Sequence, residues 1–160
     1  MNAYKKYMAE FVGTFALVFI AAGSVCADFY LRQAGGQGLG LLGISIAFGV
    51  VVIAVIYATS YVSGSHVNPA VTVSFWITKR MEPNTAIMYI ISQIAGASLA
   101  GLALKTLFPD AAKTVYLGTC MLAPGVSIAR GVLMEFIITF LLIFTIYGTL
   151  VDKRASPGFA

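Results

Sequence analysis

The sequence predicts an all-α membrane protein: a bundle of spanning helices with one re-entrant half-helix. Three observations carry that prediction. The composition suits lipid, four apolar segments reach bilayer length, and a polar stretch falls at a depth where lipid is expected. Of the 160 residues, 59% are hydrophobic and only 10% charged, whereas a soluble domain carries about 25% charged residues. A soluble fold of this size has no interior large enough to hide so much apolar surface, so the solvent is lipid. The net charge of +4 does not point to nucleic acid, because the basic residues stand at the edges of apolar segments and gather on no single face.

A helix needs about 20 residues to cross the hydrocarbon core. The first segment of that length runs from Tyr7 to Ala27. It is too long for the apolar core of a signal peptide and no small-residue cleavage site ends it, so it is expected to stay in the membrane. Asp28 to Gly38 is polar and Gly-rich, and reads as a turn. The second segment runs from Leu39 to Val62. The third, Thr85 to Leu104, carries the small residues Ala95, Gly96, Ala97, Ser98, Ala100 and Gly101, which suit dense packing within the chain. A long loop, Pro109 to Arg130, is expected to fold over the outer face, and the fourth segment runs from Gly131 to Val151.

Between the second and third segments lies Ser63-Gly64-Ser65-His66-Val67-Asn68-Pro69-Ala70-Val71-Thr72, inside a run from Gln33 to Thr78 that has no formal charge. Irregular backbone at that depth is tolerated only where protein buries it or where it lines a water-filled cavity. Asn is a favoured N-cap, and Pro69 suits the first helical position, so a helix starts at Pro69. The apolar piece up to Thr78 is too short to span, which makes it a half-helix. Its N-terminal partial positive charge is poorly screened in lipid. The side-chain NH₂ of Asn68 is left to donate into a cavity. Gly64 and Ser65 permit an extended strand whose carbonyls, from Gly64 to Val67, face the same cavity. A file of acceptors ending at a donor beside a positive dipole suits a small neutral solute and repels cations. The alternative reading of the same residues is a capped half-helix that plugs a bundle.

Segments one and four reach full length only by including a carboxylate, Glu10 or Glu135. An acid within the membrane is costly and marks a functional or structural site, unless it lies at the interface and snorkels to water. The two segments also align at a constant offset of 125, Met8-Ala9-Glu10-Phe11-Val12-Gly13-Thr14-Phe15 over Leu133-Met134-Glu135-Phe136-Ile137-Ile138-Thr139-Phe140. Such an internal repeat in a membrane protein often holds its functional site where the repeats meet. With the N-terminus in the cytoplasm, Lys5, Lys6, Lys79, Arg80, Lys153 and Arg154 lie inside, against Arg32, Lys105, Lys113 and Arg130 outside. That orientation requires the half-helix to enter and leave on one side. Cys26 and Cys120 are too few for a disulfide scaffold, and no Cys/His cluster suggests a metal or cofactor. With one His, no nucleophile–base pair and no paired carboxylates, enzymatic chemistry is not expected.

The Ser63–Thr72 string resembles the first Asn-Pro-Ala loop of the aquaporin, or major intrinsic protein, family. The resemblance covers nearly the whole chain. Ala9-Glu10-Phe11-x-Gly13-Thr14-Phe15 is similar to the family's first-helix signature, Ala47-Phe48-Gly49 to its second, Gln93-x-x-Gly96-Ala97 to its third, and Glu135-Phe136-x-x-Thr139-Phe140 to the opening of its second repeat. The resemblance implies an aquaporin-like bundle in the cell membrane, conducting water passively through a pore in each subunit of a homotetramer. Glycerol, ammonia or another small neutral solute is the alternative cargo. It implies that Asn68, with Pro69 and Ala70, supplies the first of two central donors, and that His66 lines or packs the cytoplasmic vestibule. Glu10 and Glu135 resemble the buried acids that brace two re-entrant loops. Phe48, 20 residues before Asn68, occupies the position of the family's outer-constriction aromatic, more like water-selective members than glycerol channels. Lipid-facing or core packing is its other reading.

By that resemblance, residues 1–108 form the first repeat, 109–130 an extracellular connection, and 131–160 the start of a second repeat. A fifth span, a second Asn-Pro-Ala loop with a constriction Arg, and a sixth span are expected to follow the family-like Asp152-Lys153-Arg154-Ala155-x-Pro157-Gly158-Phe159-Ala160. The chain is thus read as the N-terminal portion of a channel, the alternative being a non-conducting half-length protein that assembles with full-length relatives.

Overall fold

The structure is a computed structural model that describes residues 2–152 and residue 154. Lys153 of the basic cluster and the tail from Ala155 to Ala160 lie outside the described residues. The elements are α1 (Ala3–Gln33), α2 (Gly40–Ser63), α3 (Pro69–Ile77), α4 (Pro83–Leu107), the single turn α5 (Ala111–Thr114), a 3-10 turn (Tyr116–Gly118), α6 (Ile128–Ile146) and a π-helical turn (Tyr147–Val151) that continues it. Among the described residues there is no strand. Four helices are long and apolar enough to cross a membrane: Ala3–Gln33, Gly40–Ser63, Pro83–Leu107 and Ile128–Val151. The chain divides into two compact units, one up to Thr119 and one from Cys120.

In the first unit, α2 and α4 both pack on α1, and α3 packs on α4. Polarity misplaced the end of α1. Asp28 to Gln33, expected to be a turn, continue the helix. Asp28 pairs with Arg32 at 2.8 Å across one helical turn, a spacing that supports helix. Its other oxygen, Oδ1, accepts from the N–H groups of Leu39 at 2.6 Å and Gly40 at 2.8 Å. One side chain in the last turns of α1 therefore holds the start of α2, whose own N-cap residue makes no side-chain cap. The connecting turn shrinks to residues 34–39.

The α1–α4 contact is built from small and polar groups. α4 buries Ala86, Tyr89, Gln93, Gly96, Ala100 and Leu104, a spacing of three and four that places them on one face. A Cβ on Gly96 would run into the carbonyl oxygen of Phe11 and stand 3.1 Å from the amide nitrogen of Phe15, so the two helices meet backbone to backbone. Without a hydrophobic force between helices in lipid, such close approach supplies the attraction. Gly101, from the same small-residue cluster, meets open space. Large apolar side chains such as Leu41, Leu42, Ile53 and Leu102 are exposed, an arrangement suited to lipid. The 109–119 segment returns to α1: α5 and the 3-10 turn both contact it, and Tyr30 hydrogen-bonds Asp110 at 3.3 Å.

In the second unit, Ser127 caps α6, its Oγ accepting from the amide of Arg130 at 3.4 Å. Ile128 to Arg130, expected to be loop, are the first helical residues. The unit ends in an Asp152–Arg154 ion pair at 2.6 Å.

Candidate functional site

The chain leaves α2 at Ser63 through Gly64, whose φ of 88° is the left-handed geometry that caps a helix without steric cost. Ser65 at 51° and Val67 at 40° are also left-handed. A β-branched residue there is an outlier, and each such residue costs about 1–2 kcal/mol. Strain of this kind persists only where the surroundings over-determine it.

Glu10 is the main restraint. Its carboxylate, fully buried, accepts four hydrogen bonds. Oε1 takes the hydroxyl of Ser63 at 2.6 Å and the amide of His66 at 2.9 Å. Oε2 takes the amide of Val67 at 2.7 Å and the side-chain amide of Gln93 at 2.8 Å. Ser63 Oγ in turn accepts from the amide of Ser65 at 3.0 Å. The N–H groups of His66 and Val67 thus go to the carboxylate itself, and that of Ser65 to the Ser63 hydroxyl bound to it. Among the described residues the carbonyls from Gly64 to Val67 accept no hydrogen bond.

Asn68 behaves as an N-cap. Its Oδ1 accepts from the amide of Ala70 at 2.8 Å, with Pro69 at the first helical position. That consumes the oxygen and leaves the side-chain NH₂ with no acceptor among the described residues. Asn68 is half-buried and Pro69 exposed, so the donor and the N-terminus of α3 are accessible beside the free carbonyls.

His66, 6% exposed, is packed and polar at once. Its ring lies 4.6 Å from Phe75 and edge-on to Tyr89 at 5.3 Å. Nδ1 stands 3.1 Å from Thr72 Oγ1, which also receives the Gln93 side-chain amide at 2.9 Å. Tyr89 donates its hydroxyl to the carbonyl of Ser63 at 2.7 Å. Gly13 gives the loop room, since a Cβ there would stand 2.6 Å from Val67 Cγ1.

The structure therefore gathers Glu10, Gly64, Ser65, His66, Val67, Asn68, Pro69 and Ala70 in one place. Two predicted residues are not part of that network. Phe48 is 49% exposed on α2, about 22 Å up the helix axis from Ser63 at 1.5 Å per residue, and has no ring partner among the described residues. Glu135 is exposed on α6 and accepts no hydrogen bond among the described residues. Sequence reasoning gave no role to Tyr89 or Thr72, and treated Gln93 only as part of a helix signature. Their signal was available: Tyr89 and Gln93 are polar groups one turn apart inside a bilayer-length segment, where such groups face the protein interior.

Comparison with known proteins gives the family and the fold. Residues 1–159 match the family model described as Major intrinsic protein. Aquaporin AqpM of Methanothermobacter marburgensis is 39% identical over 170 residues, covering 98% of this chain and 69% of that protein. Aquaporin NIP3-1 of Arabidopsis thaliana is 38% identical, with 98% of this chain and 48% of that protein covered. Among solved structures, the aquaglyceroporin from Plasmodium falciparum superposes with a TM-score of 0.79 at 20% identity, over 93% of this chain and 62% of that one. At that identity the match speaks for the fold alone.

Proposed function

The chain belongs to the major intrinsic protein family, whose members are membrane channels and not enzymes, and on that premise we propose that it forms part of a passive channel for water. One observation supports this reading most directly. Every N–H from Ser65 to Val67 is taken up by Glu10 or Ser63, while the carbonyls of the same stretch accept no hydrogen bond among the described residues and stand next to the free NH₂ of Asn68. A water molecule donates to the carbonyls and accepts from Asn68 as it passes. The positive end of α3 opposes a cation at that point. Gln93, Tyr89 and Thr72 hold the loop, and Phe48 would act in a separate, outer constriction.

The same premise supports a multi-pass protein with a cytoplasmic N-terminus, because Lys5 and Lys6 begin α1 while Lys79 and Arg80 follow α3. A homotetramer would set the exposed apolar faces against lipid and neighbouring subunits. Stopped-flow shrinkage of proteoliposomes tests the cargo. Water flux is expected well above that of bare lipid, and Asn68→Leu removes it. Asn68→Asp keeps the cap oxygen while it replaces the donor NH₂ with a second acceptor and adds a negative charge, so a folded Asn68→Asp protein without flux separates conduction from the loss of the cap. Flux in either variant equal to the wild type, or glycerol passing faster than water, overturns the reading.

A further inference from the structure

Glu10 controls the amides of His66 and Val67 but does not touch the side chain of Ser65. That residue has its own restraint. Ser65 Oγ lies 2.9 Å from Thr59 Oγ1 and 3.5 Å from the carbonyl of Val55, and Thr59 Oγ1 lies 2.9 Å from that same carbonyl. Each hydroxyl has one proton to give. Thr59 Oγ1 donates to Ser65 Oγ, Ser65 Oγ reaches the Val55 carbonyl in turn, and that same carbonyl stands in the back-bonding position of a helical Thr. The last turns of α2 therefore reach forward and grip the first residues of the loop.

This contact explains the choice of Ser at a left-handed position. Gly would adopt φ 51° without strain. Ser accepts the strain and gains a fixed side chain. Its amide is held by Ser63 and its side chain by Thr59. With two of its groups anchored, the peptide has little freedom left to rotate. The carbonyls of Gly64 and Ser65, the lead members of the acceptor file, inherit that rigidity.

We propose that Thr59 and Ser65 form a hydroxyl clasp that sets the direction of the Gly64 and Ser65 carbonyls, making both residues positioning groups for passage. The proposal rests on the channel reading. A water molecule entering a file of pre-aimed acceptors exchanges hydrogen bonds without waiting for the backbone to reorient. A loosened file raises the activation energy of permeation.

The test measures water permeability per protein and its Arrhenius slope in proteoliposomes of the protein at its full natural length. The slope does not depend on how much protein folds. Ser65→Ala and Thr59→Val are each expected to lower permeability roughly threefold, the scale of one modest hydrogen bond, and to steepen the slope. The double variant is expected to be no worse than either single one, because both remove the same contact. Thr59→Ser, which keeps the hydroxyl, restores the wild-type slope. If Ser65→Ala fails to fold, Thr59→Val decides, since Thr59 has ordinary helical backbone. Unchanged slopes in conducting single variants, or losses that multiply in the double variant, overturn the clasp while leaving the channel intact. A wild type that conducts no more than bare lipid overturns the channel reading and the clasp with it.

Discussion

Glu10 and Glu135 open the same short signature, Glu-Phe-x-x-Thr-Phe, on two helices of similar apolar character. Their surroundings differ completely. Glu10 is buried and accepts four hydrogen bonds, three of them from the Ser63–Val67 stretch. Glu135 is exposed and, among the described residues, accepts none. The signature is therefore a socket and not a site. A carboxylate in an apolar helix becomes a structural centre only when a backbone segment with unpaired N–H groups meets it.

Three perturbations sharpen that contrast. The largest effect is expected from Glu10→Gln. Gln offers one acceptor and a donor NH₂, so two buried loop donors lose their partner, at about 1–3 kcal/mol each. In a protein of residues 1–160 alone, the matching Glu135→Gln is expected to shift stability by no more than about 0.5 kcal/mol. Thermal unfolding in detergent measures both. Thiol labelling adds a readout of the first unit as a whole, because Cys26 is buried about 24 Å along α1 from Glu10 and Cys120 is exposed: Glu10→Gln should open Cys26 to reagent as that unit loosens while leaving the Cys120 rate unchanged. Equal effects of the two substitutions would break the comparison.

A smaller effect is expected at the repeat-related pair Gly13 and Ile138. Gly13→Ala drives a methyl against Val67 Cγ1 and stands 3.0 Å from Val55 Cγ1, an overpacking that costs about 1–3 kcal/mol. Ile138, 48% exposed, tolerates Ala with a loss of about 0.5 kcal/mol. A Gly13→Ala protein as stable as the wild type would show that the loop is free to shift away from α1. The smallest effect belongs to Asp28→Ala, which frees the amides of Leu39 and Gly40. Hydrogen exchange at those two amides should quicken, with no change at Val67, whose amide answers to Glu10.

Much of this was legible in the chain. The four long helices, the half-helix starting at Pro69 and the Asn68 cap follow from segment length and from what Asn and Pro do at a helix start. The error at Asp28 has a physical cause. Local polarity marks where a chain can leave lipid, not where a helix stops, and the ion pair with Arg32 carried α1 onward for another turn and more. Gln93 and Tyr89 stood in plain view as polar residues in an apolar run. Nothing local told which loop they would hold, because their partners lie 83 residues away at Glu10 and 26 away at Ser63.

The sequence by itself determined that the chain lives in lipid, that it interrupts its apolar spans with one polar re-entrant stretch, and that a helix starts at Pro69. Those properties depend on composition and on neighbours a few residues apart. Only the tertiary structure decided that Glu10 becomes a buried anchor and which donors its two oxygens take. Hydrogen bonds from Val67 to Glu10 across more than fifty residues, and from Ser65 to Ser63 with its side chain against Thr59, hold the backbone of those two residues in left-handed geometry, which Ser and Val do not adopt on their own.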